Sequence, residues 1–134
     1  MSVELTRHGA YALVRLNRPE ALNALSTAVL HALAEAFFEV DAQGRRAEVR
    51  ALLITGAGDK AFCAGADIKE FLGRGLVERK RGAELGQRTF AMLDTLSVPS
   101  VALVNGYAFG GGLELALACT FRLAAATAKV GLPE

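Results

Sequence analysis

Two short apolar runs, residues 51–55 and 98–104, each lead into a stretch of small residues that opens a helical pattern. A continuous apolar run of this length reads as a buried strand. Strands and helices that alternate in this way place the chain in the α/β class. The first connecting stretch is Gly56-Ala57-Gly58-Asp59-Lys60-Ala61-Phe62-Cys63-Ala64-Gly65-Ala66-Asp67, and the second runs from Asn105 to Gly112. Small side chains let a ligand come close to the main chain. A helix start also leaves N–H groups unpaired and directed outward. Taken singly, either loop reads as an ordinary turn or a packing contact.

The remaining pattern completes the order. Val3, Leu5, Tyr11, Leu13 and Leu16 predict two strands joined by a turn at His8-Gly9. Ser26 is placed to cap a helix whose apolar positions are Val29, Leu30, Leu33, Phe37 and Val40, ending near Gly44. Asp67 is placed to cap a short helix through Phe71, and a second amphipathic helix is expected over 77–96. A helix over 113–119 and a strand over 121–125 follow. The expected order is strand, strand, helix, strand, helix, strand, helix, strand. No internal sequence repeat and no linker interrupts it, so residues 1–134 read as one domain.

Composition removes several functions. A hydrophobic content of 52% and a mean hydropathy of +0.31 exclude a disordered, solvating chain. The apolar excess suggests surface that expects a partner. Net charge is +1 with a pI near 7.8, which provides no field for nucleic acid or an anionic membrane. The run Arg79-Lys80-Arg81, with Arg74 nearby, reads first as a solvated helix face and alternatively as a phosphate contact. Cys63 and Cys119 lie far apart among small apolar residues, and His8 and His31 are isolated. Buried free thiols are therefore expected, and no metal site. Glu4 and Arg7 interrupt any apolar leader, and no apolar run reaches membrane-spanning length without charges or glycines. A reducing, cytoplasmic setting is expected.

Two carboxylates stand out against this background. Glu114 follows Gly110-Gly111-Gly112-Leu113 at a helix start, and Glu134 follows Leu132-Pro133. A carboxylate beside anion-binding amides, joined by a second, has the parts for general acid/base chemistry. Their bland alternatives are a helix-start acid and a turn residue. Other enzyme classes fail on residues: Gly56-Ala57-Gly58-Asp59-Lys60-Ala61 lacks the last glycine of a dinucleotide loop, and no P-loop or Gly-x-Ser-x-Gly is present.

Three segments carry a family resemblance. Residues 17–25 (Asn-Arg-Pro-Glu-Ala-Leu-Asn-Ala-Leu), 61–69 (Ala-Phe-Cys-Ala-Gly-Ala-Asp-Ile-Lys) and 105–116 (Asn-Gly-Tyr-Ala-Phe-Gly-Gly-Gly-Leu-Glu-Leu-Ala) are similar to motifs of the crotonase family, also called the enoyl-CoA hydratase/isomerase family. They occur in the family's order, with Gly131-Leu132-Pro133-Glu134 at its usual interval, and the resemblance covers essentially the whole chain.

The resemblance implies a crotonase-like ββα spiral core and an acyl-CoA thioester substrate. By motif position, the backbone N–H groups of Ala66 and Gly111 would stabilise an enolate-like intermediate. Glu114 would orient and activate water, and Glu134 would transfer the proton at the α-carbon. Such a carboxylate pair is expected to titrate as a coupled unit. Coenzyme A would lie along Ala24, Leu25, Ala61, Phe62, Ala64, Asp67 and Ile68, chiefly through main-chain contacts, with Lys69 and Arg18 as weaker phosphate candidates. The acyl chain would pass the segment from about Phe71 to Leu96. No cofactor is implied beyond the coenzyme A of the substrate.

Hydration of a 2-enoyl-CoA is the activity implied, with Δ3–Δ2 isomerisation as the alternative. Relatives are about twice as long, which leaves open an inactive fragment or an interaction module of the same ancestry. The resemblance further implies a homo-oligomer, a trimer or dimer of trimers, built with the C-terminal helical part that this chain lacks. One local departure is Thr120, where relatives commonly carry aspartate after the residue matching Cys119.

Overall fold

A computed structural model describes residues 1–133 and, at Phe71, the backbone alone. The elements in order are β1 (Val3–His8), β2 (Tyr11–Leu16), α1 (Thr27–Arg45), β3 (Ala51–Gly56), β4 (Ala61–Cys63), α2 (Ile68–Phe71), α3 (Leu76–Ala91), β5 (Ser100–Val104), β6 (Tyr107–Phe109), α4 (Gly111–Ala118), β7 (Phe121–Ala124) and β8 (Val130–Gly131). Two sheets form. The larger has the order β1-β2-β3-β5-β7, and the smaller β4-β6-β8. Among the described residues only β1 and β2 pair antiparallel; every other pairing is parallel.

The chain thus repeats in space without repeating in sequence. Each of β3, β5 and β7 enters the larger sheet, and the next short strand (β4, β6 or β8) enters the smaller one. Helices follow the first two of these pairs, so the chain advances as a ββα spiral. Neither short strand of the glycine-rich stretches is visible as a pattern, and the second stretch, expected as a loop, contains β6. The hairpin turn lies at Gly9-Ala10, one residue beyond its expected place. The long helix ends at Ala91 and gives way to a 3-10 turn, Met92–Thr95, before β5.

Register explains the core. Side chains alternate across a strand, and the pairing aligns Ala12, Leu52 and Ser100 in one row and Val14, Ile54 and Ala102 in the next. All six are fully buried. The opposite face of β3 is half-buried rather than fully covered, so the strand alternates in burial despite its continuous apolar sequence. Helix α1 buries Val29, Leu30, Leu33, Ala36, Phe37 and Val40 along one stripe and packs against β1 and α3. The Ser26 hydroxyl accepts from the Val29 amide at 3.1 Å, the expected cap. No helix among the described residues is long and apolar enough to cross a membrane.

One contact sets the position of α4. A Cβ on Gly112 would lie 1.9 Å from the Cys63 carbonyl oxygen, so helix and strand touch backbone to backbone. Gly112→Ala must push α4 off β4, and overpacking of this kind costs about 1–3 kcal/mol. The urea midpoint should fall accordingly; an unchanged midpoint would contradict the contact.

Both cysteines are free and buried. Burial pushes the Cys63 thiol up to about 12, despite an opposing amide contact from Gly65, and Cys119 up to about 11. In the unfolded chain the thiols ionise near 9.0, while folded Cys63 stays protonated. Stability should therefore be unaffected by these groups below that pH and fall as pH rises from about 9 toward 12. At pH 8 the native thiols should resist an aromatic disulfide reagent until denaturant is added, as followed by released thiolate absorbance.

Candidate active site

The first glycine-rich stretch is held to Leu25 by its backbone. The Leu25 amide donates to the Gly65 carbonyl at 2.7 Å, and the Asp67 amide donates to the Leu25 carbonyl at 3.0 Å. This is an isolated parallel bridge between Leu25 and Ala66. In such a bridge the amide of the middle residue, Ala66, faces away from its partner strand. The second stretch runs into α4, whose first residue is Gly111, so the Gly111 amide has no acceptor within the helix. Neither the Ala66 nor the Gly111 amide donates to a backbone carbonyl among the described residues.

Gly65 brings the two stretches together. Its φ of +105° favours glycine, and a Cβ there would lie 3.0 Å from the Phe109 carbonyl oxygen and 3.8 Å from the Gly111 nitrogen. Ala66, Gly111, Leu25 and Glu114 line one cavity of about 330 Å³. Two amides without a backbone acceptor among the described residues, lining one cavity, have the chemistry to donate to an oxygen that gains negative charge.

Three described carboxylates line the same cavity, and their surroundings differ. Asp67 caps α2 by accepting from the Lys69 amide at 3.0 Å, and it pairs with Arg18 at 3.2 Å. Glu70 accepts from the Thr27 amide at 2.7 Å, the Thr27 hydroxyl at 2.7 Å and Arg74 at 2.5 Å. Glu114 is exposed, its amide donates to the Gly110 carbonyl at 3.0 Å, and its carboxylate has no hydrogen-bond or ion-pair partner among the described residues. It is the carboxylate with acceptor capacity to spare for water. Glu134 lies outside the described residues.

The coenzyme candidates divide. Leu25 and Asp67 line the cavity; Ala24, Ala61, Phe62, Ala64 and Ile68 do not. Ala61 and Phe62 form part of β4 and are buried, with the Phe62 side chain in the core. The Ala64 amide donates to the Leu22 carbonyl at 3.0 Å, and the Ala24 carbonyl accepts from Arg18 at 3.2 Å. Ile68 is exposed. Arg18 is thus engaged with Asp67 and Ala24 rather than held toward solvent.

Two asparagines that frame the site escaped the sequence reading as structural parts. Asn23 is buried, accepts from the Arg18 amide at 2.8 Å, and donates to the carbonyls of Ala57 and Ala61 at 3.0 and 2.9 Å. Asn105 accepts from the Gly56 amide at 3.1 Å and donates to the carbonyls of Gly56, Gly58 and Ala61. The available signal was an amide side chain beside a loop made mostly of small residues. Behind α4, Thr120 and Ser100 bond reciprocally, each amide to the other's hydroxyl at 3.0 Å. The residue that departs from the family pattern is therefore tied into the start of β5.

Comparison with known proteins gives concordant matches. Residues 6–134 match the family model described as enoyl-CoA hydratase/isomerase. An enoyl-CoA isomerase/hydratase of Zymoseptoria tritici is 43% identical over 133 residues, covering 99% of this chain and 44% of that protein. A short-chain-enoyl-CoA hydratase of Clostridium acetobutylicum is 41% identical over 133 residues, covering 99% of this chain and 50% of that protein. The crystal structure of an enoyl-CoA hydratase from Bacillus anthracis superposes with a TM-score of 0.93 at 37% identity, covering 98% of this chain and 50% of that one. The chain spans about half the length of the curated relatives it matches.

Asn105→Ala leaves the carbonyls of Gly56, Gly58 and Ala61 without that donor. The loss of partners for partly buried polar groups should lower stability by about 1–3 kcal/mol. Thermal or urea unfolding measures it, and a wild-type midpoint would remove Asn105 from the framing role.

Proposed function

Because the chain belongs to the enoyl-CoA hydratase/isomerase family, we propose that it carries the reaction centre of an enzyme that hydrates a 2-enoyl-CoA to the 3-hydroxyacyl-CoA. The observation that carries this reading is the placement of the Ala66 and Gly111 amides and the Glu114 carboxylate around one cavity.

In the proposed reaction the thioester oxygen accepts from both amides. The water oxygen bonds to the β-carbon, and the electrons of the double bond move toward the thioester oxygen. The enolate-like intermediate then takes a proton at the α-carbon. Prearranged amides stabilise the developing oxyanion, each contributing about 3 kcal/mol to the barrier reduction. Glu114 orients the water and removes its proton, and Glu134 supplies the proton at the α-carbon. Main-chain contacts from Ala24, Leu25, Ala61, Phe62, Ala64, Asp67 and Ile68 hold the coenzyme. The reading needs no cofactor beyond the coenzyme A of the substrate. It includes a homo-oligomer, a trimer or dimer of trimers, in the cytoplasm.

Isomerisation is the second reading, favoured by the relative named isomerase/hydratase. The test follows the conjugated enoyl-thioester absorbance with the complete protein. Hydration should occur, and Glu114→Gln and Glu134→Gln should each lower kcat by about 10²–10⁴-fold. Wild-type rates in either variant would remove that residue's role. A Δ3 to Δ2 shift without hydration would select the isomerase.

A further inference from the structure

The cavity that contains Ala66, Gly111 and Glu114 ends in charge. Along α3 its wall holds the small residues Gly82, Ala83 and Gly86, with Arg79, Gln87 and Phe90 beside them. A Cβ on Gly86 would sit 3.9 Å from the Leu30 side chain, in ordinary van der Waals contact, and the room for a short acyl chain is the cavity's own volume of about 330 Å³. At the far end stand Thr27, Glu70 and Arg74.

The geometry of Arg74 is specific. Its Nη2 donates to Glu70 at 2.5 Å and to the Thr27 hydroxyl at 3.1 Å. No hydrogen bond from Nη1 or Nε occurs among the described residues, and Nη1 lies 3.7 Å from the point where Gly82 would carry a Cβ. A guanidinium has five donors in a rigid fork, so one branch is anchored and the other faces the space that Gly82 leaves open. Glu70 pairs with the anchored branch and offsets part of the guanidinium charge. Its oxygens already accept three hydrogen bonds, one from the first amide of the 19-residue helix α1, whose N-terminus adds positive potential.

A second cavity meets the first at Thr27, Arg74 and Gly82. It adds Arg81 and Arg88, with Glu78 as its acid and His31 as its imidazole. Glu70 and Glu78 stand here against Arg74, Arg79, Arg81 and Arg88, so the residues around this end carry an excess of positive charge. A methyl-terminated chain reaching it would strip water from donors and offer them nothing. A carboxylate would accept from the fork as a charge-assisted partner.

We propose that the site takes acyl-CoA thioesters whose acyl group is short and ends in a carboxylate, and that Arg74 receives this carboxylate. The proposal deepens the acyl-CoA reading and rests on it. In chemical terms, the reaction that supplies the substrate must leave an acid at the end of the acyl chain remote from the thioester.

Binding of unreactive saturated ligands tests this without turnover. Titration calorimetry on the complete protein would compare succinyl-, glutaryl- and adipoyl-CoA with their ω-methyl esters, with pentanoyl-CoA and with coenzyme A alone. At the best chain length the acid should bind about tenfold or more tighter than its ester, as expected for a hydrogen bond to a charged group. Arg74→Gln should reduce that ratio to near one. An acid that binds no tighter than its ester in the wild type overturns the proposal with no variant needed. A ratio preserved in Arg74→Gln overturns the role of Arg74. Equal weakening of every ligand, coenzyme A included, would assign Arg74 to the coenzyme's phosphates instead. Absence of binding by any thioester would defeat both this proposal and the acyl-CoA reading, whereas binding without hydration would defeat only the hydratase.

Discussion

Helix α4 and strand β4 meet backbone to backbone, and the candidate site depends on that approach. A Cβ on Gly112 would overlap the Cys63 carbonyl oxygen, at 1.9 Å, so no other residue permits the contact. Cys63 closes β4, and the chain reaches Ala66 within three residues. Gly112 likewise follows Gly111 directly. The distance between the two candidate donors is therefore set by main-chain packing, with no long side chain in the path. Leu25 and Gly65 complete the linkage, through the parallel bridge and the approach to Phe109. Donors fixed in this way need little reorganisation as charge develops on an oxygen between them.

The far end of α4 is secured as firmly. Arg122 Nη1 donates to the carbonyls of Ala116, Leu117 and Cys119 at 3.4, 3.3 and 2.9 Å. They lie at the helix C-terminus, where the Ala116 carbonyl also accepts from the Cys119 amide at 3.3 Å, and a cation there complements the helix dipole. Ser100 and Thr120 then tie the following residue to β5. An eight-residue helix has few internal bonds to hold it rigid. Its orientation comes from Gly112 at one end and from Arg122 and Thr120 at the other. The positive end of the helix, at Gly111, is thereby directed into the cavity.

Periodicity made much of this architecture legible. The α1 stripe and the caps at Ser26 and Asp67 follow from local rules, and so does the strand–helix alternation. Strands β4, β6 and β8 do not, because two or three residues carry no period and form strands only by pairing across the chain. The end of α3 is similar: Met92–Thr95 keeps apolar spacing while its backbone tightens to a 3-10 turn. At the site, the small residues that expose Ala66 and Gly111 were legible as composition. Asn23 and Asn105 were not, since their roles depend on which carbonyls the two sheets bring beside them. Glu70 is a further instance: it follows Asp67 in a four-residue helix, yet its partner is the start of α1, 43 residues away.

Acceptor occupancy, rather than proximity, separates the roles of the cavity's described carboxylates. Accepting a proton from water needs a lone pair not already committed to a donor. Asp67 spends its oxygens on the α2 cap and Arg18, and Glu70 spends its own on Thr27 and Arg74. Glu114 sits one turn into a helix whose position is fixed, with no such commitment among the described residues. The same residue type therefore serves two ends within one cavity. Occupied carboxylates hold cations in place, and the one without a partner among the described residues keeps its acceptor capacity. Glu70 shows the positive use of occupancy, because its hold on one branch of Arg74 is what turns the other branch toward the cavity.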